Sequence, residues 1–360
     1  MDRPDVGTAQ VIRANSRNLP LADNTVDLVV TSPPYFALRS YQDGGKHYEG
    51  QVGDEPTPAE FVDSLLEVTR ECVRVLKPSG SLWVNLGDKY ATGATPGPQS
   101  ASSTMTGGAH KGVSNVVSRK TVDGTRQKSL IGIPWRYALR CIDDLGLILR
   151  AEVIWSKPNG LPESVTDRVR RSHETWFHFT LEPRYFSAVD EIREDYSERV
   201  LGRQQYAGRD DVPLSKDRGD RHDGNPARGI LGHGHRGLSP LGKLPGSVWT
   251  IPTEPLRVPD HLGVDHFAAF PTAFPKRIIE GWSAPGMTIL DPFGGTGTTA
   301  MVAKALCRHG VTVDMSADYC RLAEWRTNDR NQIAKVLGVE KVEPAHVDQM
   351  GLFDLGGGAA

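Results

Sequence analysis

The chain has 360 residues, a formal net charge of -2 and 38% hydrophobic residues, which is enough material for a full core in one large domain or two modest ones. Its longest apolar runs are far too short to span a bilayer, and its N-terminus has no apolar signal region, so we expect a cytoplasmic protein without membrane segments. The four cysteines form no C-x-x-C pair and no cluster with histidines, which argues against a disulfide framework and against a metal site.

The first part of the chain predicts a strand, a stiff loop, a helix and a second strand. The apolar run Val26–Thr31 predicts a buried strand, and the prolines after it predict a rigid loop. Thr57-Pro58-Ala59-Glu60 has the form of a capping box with proline at the first helical position, so a helix is predicted to begin there. An apolar stripe continues this helix until Lys77-Pro78-Ser79-Gly80 ends it, and Ser81–Leu86 predicts the next strand.

The same alternation continues along the rest of the chain. The predicted elements are a helix around Pro134–Asp144, strands around Leu147–Trp155 and Thr175–Leu181, a helix from about Thr272, a strand Thr288–Leu290, a helix Thr298–Cys307, a strand Val311–Val313 and a final helix. Strands that alternate with helices predict an α/β domain with a largely parallel sheet.

A glycine-rich turn joins a predicted strand to a predicted helix near the C-terminus. Gly295, Gly297 and Ala300 fit the pattern G-x-G-x-x-A, and Asp314 ends the following strand, where a carboxylate can hydrogen-bond a ribose hydroxyl. This layout binds nucleotides and, taken alone, allows an NAD enzyme. The lysine of a G-K-[ST] phosphate loop is missing, which disfavours that kind of site.

Asp291, at the end of the strand before this turn, changes the balance between cofactors. A carboxylate where the pyrophosphate of a dinucleotide would lie repels phosphate but suits an ammonium group, such as that of a methionine moiety. S-adenosylmethionine is therefore the better-fitting ligand. The alternative for Asp291 is a capping or turn role, which an Asp-Pro pair tolerates.

The loop Thr31-Ser32-Pro33-Pro34-Tyr35 follows a predicted strand, where open α/β sheets form ligand sites. Methylation of an exocyclic amine of a nucleobase needs groups that accept the amine hydrogens and so localise its lone pair for attack on a methyl group. The Ser32 hydroxyl and the Pro33 carbonyl suit this task, and Tyr35 offers a ring that stacks on an extruded base. The alternative is a proline turn beside a core tyrosine.

The two loops together resemble the motifs of one enzyme family. D-x-V-x-T-S-P-P-Y near the N-terminus and D-P-F-x-G-x-G-T near the C-terminus are similar to those of the amino-methylating DNA methyltransferases, in the circularly permuted order of the β group. Arg74–Leu82 and His266–Pro271 also resemble segments of this family. The resemblance covers roughly residues 10–90, 130–190 and 245–335.

This resemblance implies an α/β, Rossmann-like methyltransferase fold that uses S-adenosylmethionine and acts on double-stranded DNA after base flipping, without a metal. The implied catalytic residues are Ser32, Pro33, Pro34 and Tyr35. The implied cofactor-binding residues are Thr31, Phe270, Pro271, Asp291, Pro292, Phe293, Gly295, Thr296, Gly297, Thr298 and Asp314. Family members with serine at the first loop position are mostly cytosine-N4 enzymes, whereas adenine-N6 enzymes mostly carry aspartate there, so the resemblance favours N4 of cytosine over N6 of adenine.

The same resemblance divides the chain into four parts. Residues 1–190 form the catalytic half, with a flexible loop at 91–128, and residues 247–338 form the cofactor-binding half. Residues 191–246 form a small, loop-rich insertion that is either a target-recognition region or a solvated linker, and residues 339–360 form a flexible tail. The more distant alternatives are an NAD-binding oxidoreductase and a non-catalytic DNA-binding protein that retains the fold.

The tail contains a short motif of its own. Gln349, Leu352 and Phe353 resemble the Q-x-x-L-F peptides by which bacterial replication and repair proteins bind the sliding clamp. Exposed apolar residues on a glycine-rich tail need a partner, so the sequence suggests either clamp binding or packing of the tail on its own domain. A cognate restriction endonuclease is the second expected protein partner.

Overall fold

The computed structural model describes residues 7–36, 42–43, 46–47, 50–91, 125–160, 162–198, 200, 239–264 and 270–339. The strands are β1 (Thr8–Arg13), β2 (Val26–Thr31), β3 (Gln42–Asp43), β4 (Lys46–His47), β5 (Leu76–Leu86), β6 (Ile148–Ser156), β7 (His173–Thr180), β8 (Val248–Thr250), β9 (Thr288–Asp291) and β10 (His309–Asp314). The α-helices are α1 (Pro58–Val75), α2 (Ile133–Asp143), α3 (Ala273–Trp282), α4 (Thr298–Ala305), α5 (Ala317–Asn328) and α6 (Arg330–Leu337).

An 8-stranded sheet in the order β1-β10-β9-β2-β5-β7-β6-β8 forms the centre of the fold. β7 pairs antiparallel with β5 and β6, and the other neighbours in this sheet are parallel. The largely parallel sheet predicted from the sequence is therefore confirmed. β2, near the start of the chain, lies beside β9, near its end, with Leu28 opposite Ile289.

Helix α1 begins where the sequence predicts. The Thr57 hydroxyl accepts a hydrogen bond from the Glu60 N–H, and the Glu60 carboxylate accepts one from the Thr57 N–H, both at 3.2 Å. These two bonds form the predicted capping box. The apolar stripe of α1, which includes Phe61 and Leu65, is buried in the core, where one such side chain stabilises the fold by about 1.5–3 kcal/mol.

Helices cover both faces of the sheet. α1 and α2 pack on one face, whereas α3, α4 and α6 pack on the other, and α5 lies against β1 and β10. The core under α3 is aromatic, with the Trp83 ring stacked on His178 at 4.5 Å between centroids. Burial lowers the pKa of His178 to about 3, so this ring is neutral at physiological pH.

Some element boundaries differ from those predicted. The strand predicted to begin at Ser81 begins at Leu76. Leu76 already pairs with Val26 of β2, and the irregular stretch Lys77–Gly80 then shifts the register so that Ser81 lies opposite Leu28. The predicted final helix is two helices, because Asp329 ends α5 and its carboxylate accepts from the Gln332 N–H to cap α6. The sequence predicts neither β1, which is largely exposed, nor the three-residue β8.

Several predictions lie partly or wholly outside the described residues. These include most of the loop at 91–128, most of the insertion at 191–246 and the tail residues Gln349, Leu352 and Phe353. The division into four parts stays a prediction. Within the ranges that the structure describes, no helix is long and apolar enough to cross a membrane, and no group of three or more His, Cys, Asp or Glu side chains is placed to hold a metal ion.

Candidate active site

The carboxyl ends of β2, β9 and β10 lie at one edge of the sheet, because these strands are parallel neighbours. Thr31 ends β2, Asp291 ends β9 and Asp314 ends β10. The Thr31 hydroxyl donates to Asp291 Oδ1 at 2.7 Å across 260 positions of sequence. The two loops that the sequence singled out therefore border one site.

Asp291 is a buried carboxylate with neutral hydrogen-bond donors around it. It accepts from the Thr31 hydroxyl, from the Thr299 hydroxyl at 2.9 Å and from the Phe293 N–H at 3.1 Å. Burial raises the pKa of Asp291 to about 6 in spite of these bonds. Among the described residues no lysine or arginine forms an ion pair with it, and three donors leave about one of its four acceptor positions for a ligand. The site therefore fits the ammonium group expected from the sequence.

The glycine turn after β9 adopts a backbone that favours glycine. Gly295 and Gly297 have φ angles of 48° and 72°, and a Cβ on Gly297 would lie 2.9 Å from the Cβ of Ala323. The Gly295 N–H donates to Asp314 Oδ2 and the Ser316 N–H donates to Asp314 Oδ1, both at 2.9 Å. These bonds fix the Asp314 carboxylate beside the turn, where the nucleotide-binding pattern places it.

Arg326 of α5 supports this turn, although no sequence pattern marks it. Its Nη1 donates to the hydroxyls of Thr296 and Thr298, each at 2.6 Å. Burial lowers the pKa of Arg326 to about 10, which leaves the guanidinium charged at neutral pH. Its contact with the turn depends on the docking of α5, which a local sequence pattern does not reveal.

Ser32 and Tyr35 share a partner on β5. The Ser32 hydroxyl donates to Asn85 Oδ1 at 3.1 Å, and the Tyr35 hydroxyl lies 2.8 Å from the same oxygen. Asn85 is fully buried, and its Nδ2 donates to the Thr175 carbonyl at 3.2 Å, which orients Oδ1 toward the loop. Because the Ser32 hydrogen points at Asn85, the Ser32 oxygen has lone pairs left to accept hydrogen bonds.

The Tyr35 hydroxyl also lies 2.6 Å from Glu174 Oε2 at the start of β7. The other Glu174 oxygen is paired with Lys157, whose ammonium lies 4.0 Å from the centroid of the Trp155 ring. A Cβ on Gly87 would lie 2.7 Å from Tyr35 Cε2, so the ring packs closely against that glycine. The sequence predicts neither Asn85 nor Glu174. Asn85 contacts the loop because β5 lies beside β2, and Glu174 reaches this edge because β7 runs antiparallel to β5.

The remaining predicted residues lie in three places. Thr31, Pro33, Pro292 and Phe293 line an apolar crevice against α1. Pro34 packs near Gly53, where a Cβ would lie 3.3 Å from the Pro34 Cβ.

Phe270 and Pro271 lie just before α3. The Phe270 ring is 5.8 Å from the ring of Trp176, which is opposite Asn85 in the β5–β7 register. The Pro271 carbonyl accepts from the Phe274 N–H at 3.2 Å. Phe270 therefore lies over the strand pair that carries Asn85.

One edge of the sheet thus offers a carboxylate for an ammonium group, a turn for a nucleotide and a hydroxyl oxygen for an amine. Together these groups fit an enzyme that transfers a methyl group from S-adenosylmethionine to an amine.

Comparison with known proteins supplies the family. A family model described as DNA methylase matches residues 26–325. The chain is 33% identical over 300 residues to the Type II methyltransferase M.SmaI of Serratia marcescens, and the matched region covers 83% of each protein. It is 32% identical over 311 residues to the Type II methyltransferase M.Cfr9I of Citrobacter freundii, which covers 85% of this chain and 82% of that protein.

A solved structure shares the fold. It is described as the PvuII DNA methyltransferase, cytosine-N4-specific, and matches with a TM-score of 0.57 and 19% identity over 93% of this chain and 94% of that one. The chain belongs to the family of amino-methylating DNA methylases, whose members use S-adenosylmethionine. The predicted family, Rossmann-like fold and cofactor are confirmed, and the oxidoreductase alternative does not apply to a member of this family.

Proposed function

We propose that this DNA methyltransferase is site-specific and methylates the exocyclic N4 amine of cytosine in double-stranded DNA after base flipping. The observation that carries the proposal is the Ser32–Asn85 hydrogen bond, because it makes the Ser32 oxygen an acceptor at the start of the loop. Serine at position 32, the first position of the loop motif, is also typical of the cytosine-N4 members that the sequence resembles. The similar PvuII enzyme is described as cytosine-N4-specific, which adds support.

The chemistry requires acceptors for the amine hydrogens. The N4 lone pair of cytosine is delocalised into the ring, so the free amine is a weak nucleophile. In the proposal, Ser32 Oγ and the Pro33 carbonyl each accept one amine hydrogen and localise the lone pair. When bound, S-adenosylmethionine supplies an electrophilic methyl group on a sulfonium sulfur. The amine nitrogen would form a bond to this methyl group as the sulfur–methyl bond breaks, and the electron pair of that bond would remain on the sulfur of the departing thioether. Ser32 Oγ and the Pro33 carbonyl would stabilise the positive charge that develops on nitrogen, which would then release one proton to water.

The cofactor roles follow the charges around the strand ends. Asp291 binds the ammonium of the methionine moiety, and Asp314 binds ribose hydroxyls of the adenosine. The remaining cofactor-binding residues stay as predicted from the resemblance. Tyr35 stacks on the flipped base, and the contacts of its hydroxyl with Asn85 and Glu174 support the ring in a fixed orientation.

Mass spectrometry of nucleosides tests the proposal. Unmethylated plasmid DNA is incubated with the full chain and S-adenosylmethionine, digested and analysed. We expect N4-methylcytosine from the parent protein. Ser32→Ala should reduce the yield by about 100-fold or more, because it removes one hydrogen-bond acceptor that stabilises the developing positive charge. Ser129→Ala changes an exposed serine that bonds the Leu130 carbonyl, and it should leave the yield unchanged.

Each other outcome has a definite meaning. N6-methyladenine as the product would retain the mechanism and overturn the choice of base. Absence of any methylated base would overturn catalysis on DNA, and a full yield from Ser32→Ala would remove that hydroxyl from the mechanism.

We further propose a cytoplasmic restriction-modification setting with a cognate restriction endonuclease, because both relatives named above are Type II methyltransferases.

The tail residues Gln349, Leu352 and Phe353 are proposed to bind the bacterial sliding clamp. Surface plasmon resonance with the full chain checks this: the clamp should bind the parent protein and should not bind the Leu352→Ala, Phe353→Ala double variant. Equal binding by both proteins would exclude the tail as the contact.

A further inference from the structure

The connection between β6 and β7 lies at the catalytic edge of the sheet. β6 ends there at Ser156, and the antiparallel β7 starts there at His173. The two ends of the connection are joined by a hydrogen bond from the Lys157 N–H to the Ser172 carbonyl at 2.8 Å. Glu174, the second residue of β7, contacts Tyr35, so the end of the connection at β7 lies close to the proposed base-binding loop.

Val169 lies in this connection, four residues before the start of β7. It is 86% exposed, the largest fraction among the exposed large apolar side chains of the described residues. A single exposed valine does not by itself indicate a binding surface. Its position at this edge and the support of the backbone around it distinguish Val169 from other exposed apolar residues.

Arg168 fixes the backbone on one side of Val169. Its guanidinium lies 3.7 Å from the centroid of the Tyr90 ring, forms an ion pair with Glu163 at 2.8 Å and donates to the Val169 carbonyl at 3.0 Å. The cation above the aromatic ring adds to the attraction. These contacts tie Val169 to the chain segment that follows β5.

Arg171 fixes the other side. Its N–H donates to Glu163 Oε2 at 3.4 Å, and its guanidinium lies 3.7 Å from Asp88. The Asp88 carboxylate also accepts from the N–H groups of Gly132 and Ile133 at the start of α2. Val169 is therefore held on a braced loop that is joined to β5 and α2.

The surroundings of Val169 are cationic. Arg168 and Arg170 are its direct neighbours, and Arg170 donates to the Gly160 carbonyl at 3.4 Å. In the part of the chain that the structure describes, Arg170 forms no ion pair with a carboxylate. Guanidinium groups of this kind contact the phosphates of a duplex, and apolar side chains between them insert between bases.

From these observations we propose that Val169 enters the base stack at the position that the target base leaves, while Arg170 contacts a flanking phosphate. This inference rests on the proposed function, because only base flipping creates the gap. Extrusion of a base costs a few kcal/mol of stacking and pairing. An apolar side chain in the gap restores part of the lost stacking and slows the return of the base.

Methylation kinetics on two duplexes test the inference. One duplex contains the mapped target base in a normal pair, and the second contains the same base in a mismatch, where extrusion costs less. Val169→Ala should lower kcat/KM by about 10- to 100-fold on the paired duplex and by less than about 3-fold on the mismatched one. Val169→Ile should keep most of the parental rate, and Val339→Ala, which changes an exposed valine after α6, should match the parent on both duplexes.

The outcomes separate this inference from the proposed function. A parent protein that methylates neither duplex overturns the proposed function. A parent that methylates both, with Val169→Ala at the parental rate on the paired duplex, overturns the role of Val169 alone. An equal loss on both duplexes also overturns it, because the effect would then not depend on the cost of extrusion.

Discussion

Asp291→Asn is expected to lose cofactor binding and, at the same time, to be more stable than the parent protein at neutral pH. The carboxylate is the proposed partner of the cofactor ammonium, and loss of one member of a buried charge pair costs binding free energy equivalent to about 100-fold or more in affinity. Burial raises the pKa of Asp291 from 3.8 to about 6, so the unligated protein carries a buried negative charge at pH 7.5.

The direction of the stability change follows from proton binding. Between about pH 4 and pH 6 the folded protein binds a proton at Asp291 more tightly than the unfolded chain does. The contribution of this group to stability is therefore complete below pH 3.8 and is lost as the pH rises through about 6. Asparagine carries no charge, so the variant should gain up to about 3 kcal/mol at pH 7.5 and almost nothing at pH 4.

The surrounding hydrogen bonds permit this substitution. The Thr299 hydroxyl lies 2.9 Å from Asp291 and 3.1 Å from the Val30 carbonyl. In the variant, Thr299 can donate to Val30 and accept from the new amide nitrogen, so no polar atom is left without a partner.

Calorimetric titration with S-adenosylmethionine and thermal melting at pH 7.5 and pH 4 measure the two effects. Asp143→Asn, at an exposed position of α2, is the matched control and should change neither. Parental cofactor affinity in Asp291→Asn would exclude the proposed ammonium contact. A stability gain of equal size at both pH values would exclude the ionised carboxylate as its cause.

Asn85→Leu is expected to lower kcat by about 100- to 1,000-fold and to leave cofactor affinity unchanged. Leucine has a similar shape but offers no oxygen to the Ser32 hydroxyl, so that hydrogen is no longer directed away from the target amine. Asn85→Asp keeps the acceptor and should retain more activity than the leucine variant. The substitution to leucine also leaves the Thr175 carbonyl without its donor, at a cost of about 1–3 kcal/mol of stability.

Single-turnover methylation and cofactor titration separate these effects. Normal cofactor affinity shows that the variant is folded at the temperature of the assay. Asn328→Leu is the control, since Asn328 also donates to a carbonyl, that of Glu324, at an exposed position. A parental rate in Asn85→Leu, or equal losses in the leucine and aspartate variants, would contradict the orienting role.

Local sequence signals predicted most of the helices and strands, and they singled out the two loops that the structure brings together at one edge of the sheet. The capping box at Thr57 and the strand before Ser32 depend on neighbouring residues, and the structure contains both. Asn85, Glu174 and Arg326 were not predictable in this way. Their contacts depend on which strands become neighbours, in which direction β7 runs and where α5 docks, and none of these is set by residues close in sequence.

The neighbouring positions of β2 and β9 have a consequence for synthesis of the protein. The central strand β2 cannot pair with β9 until residues near 290 have left the ribosome. The edge strand β1 pairs with β10, which is synthesised later still. Contacts of such long sequence separation make folding slow and leave the early strands without partners. A nascent chain therefore has no methyl-transfer site during most of its translation, and we expect the delay between synthesis and first modification of DNA to include this late folding step.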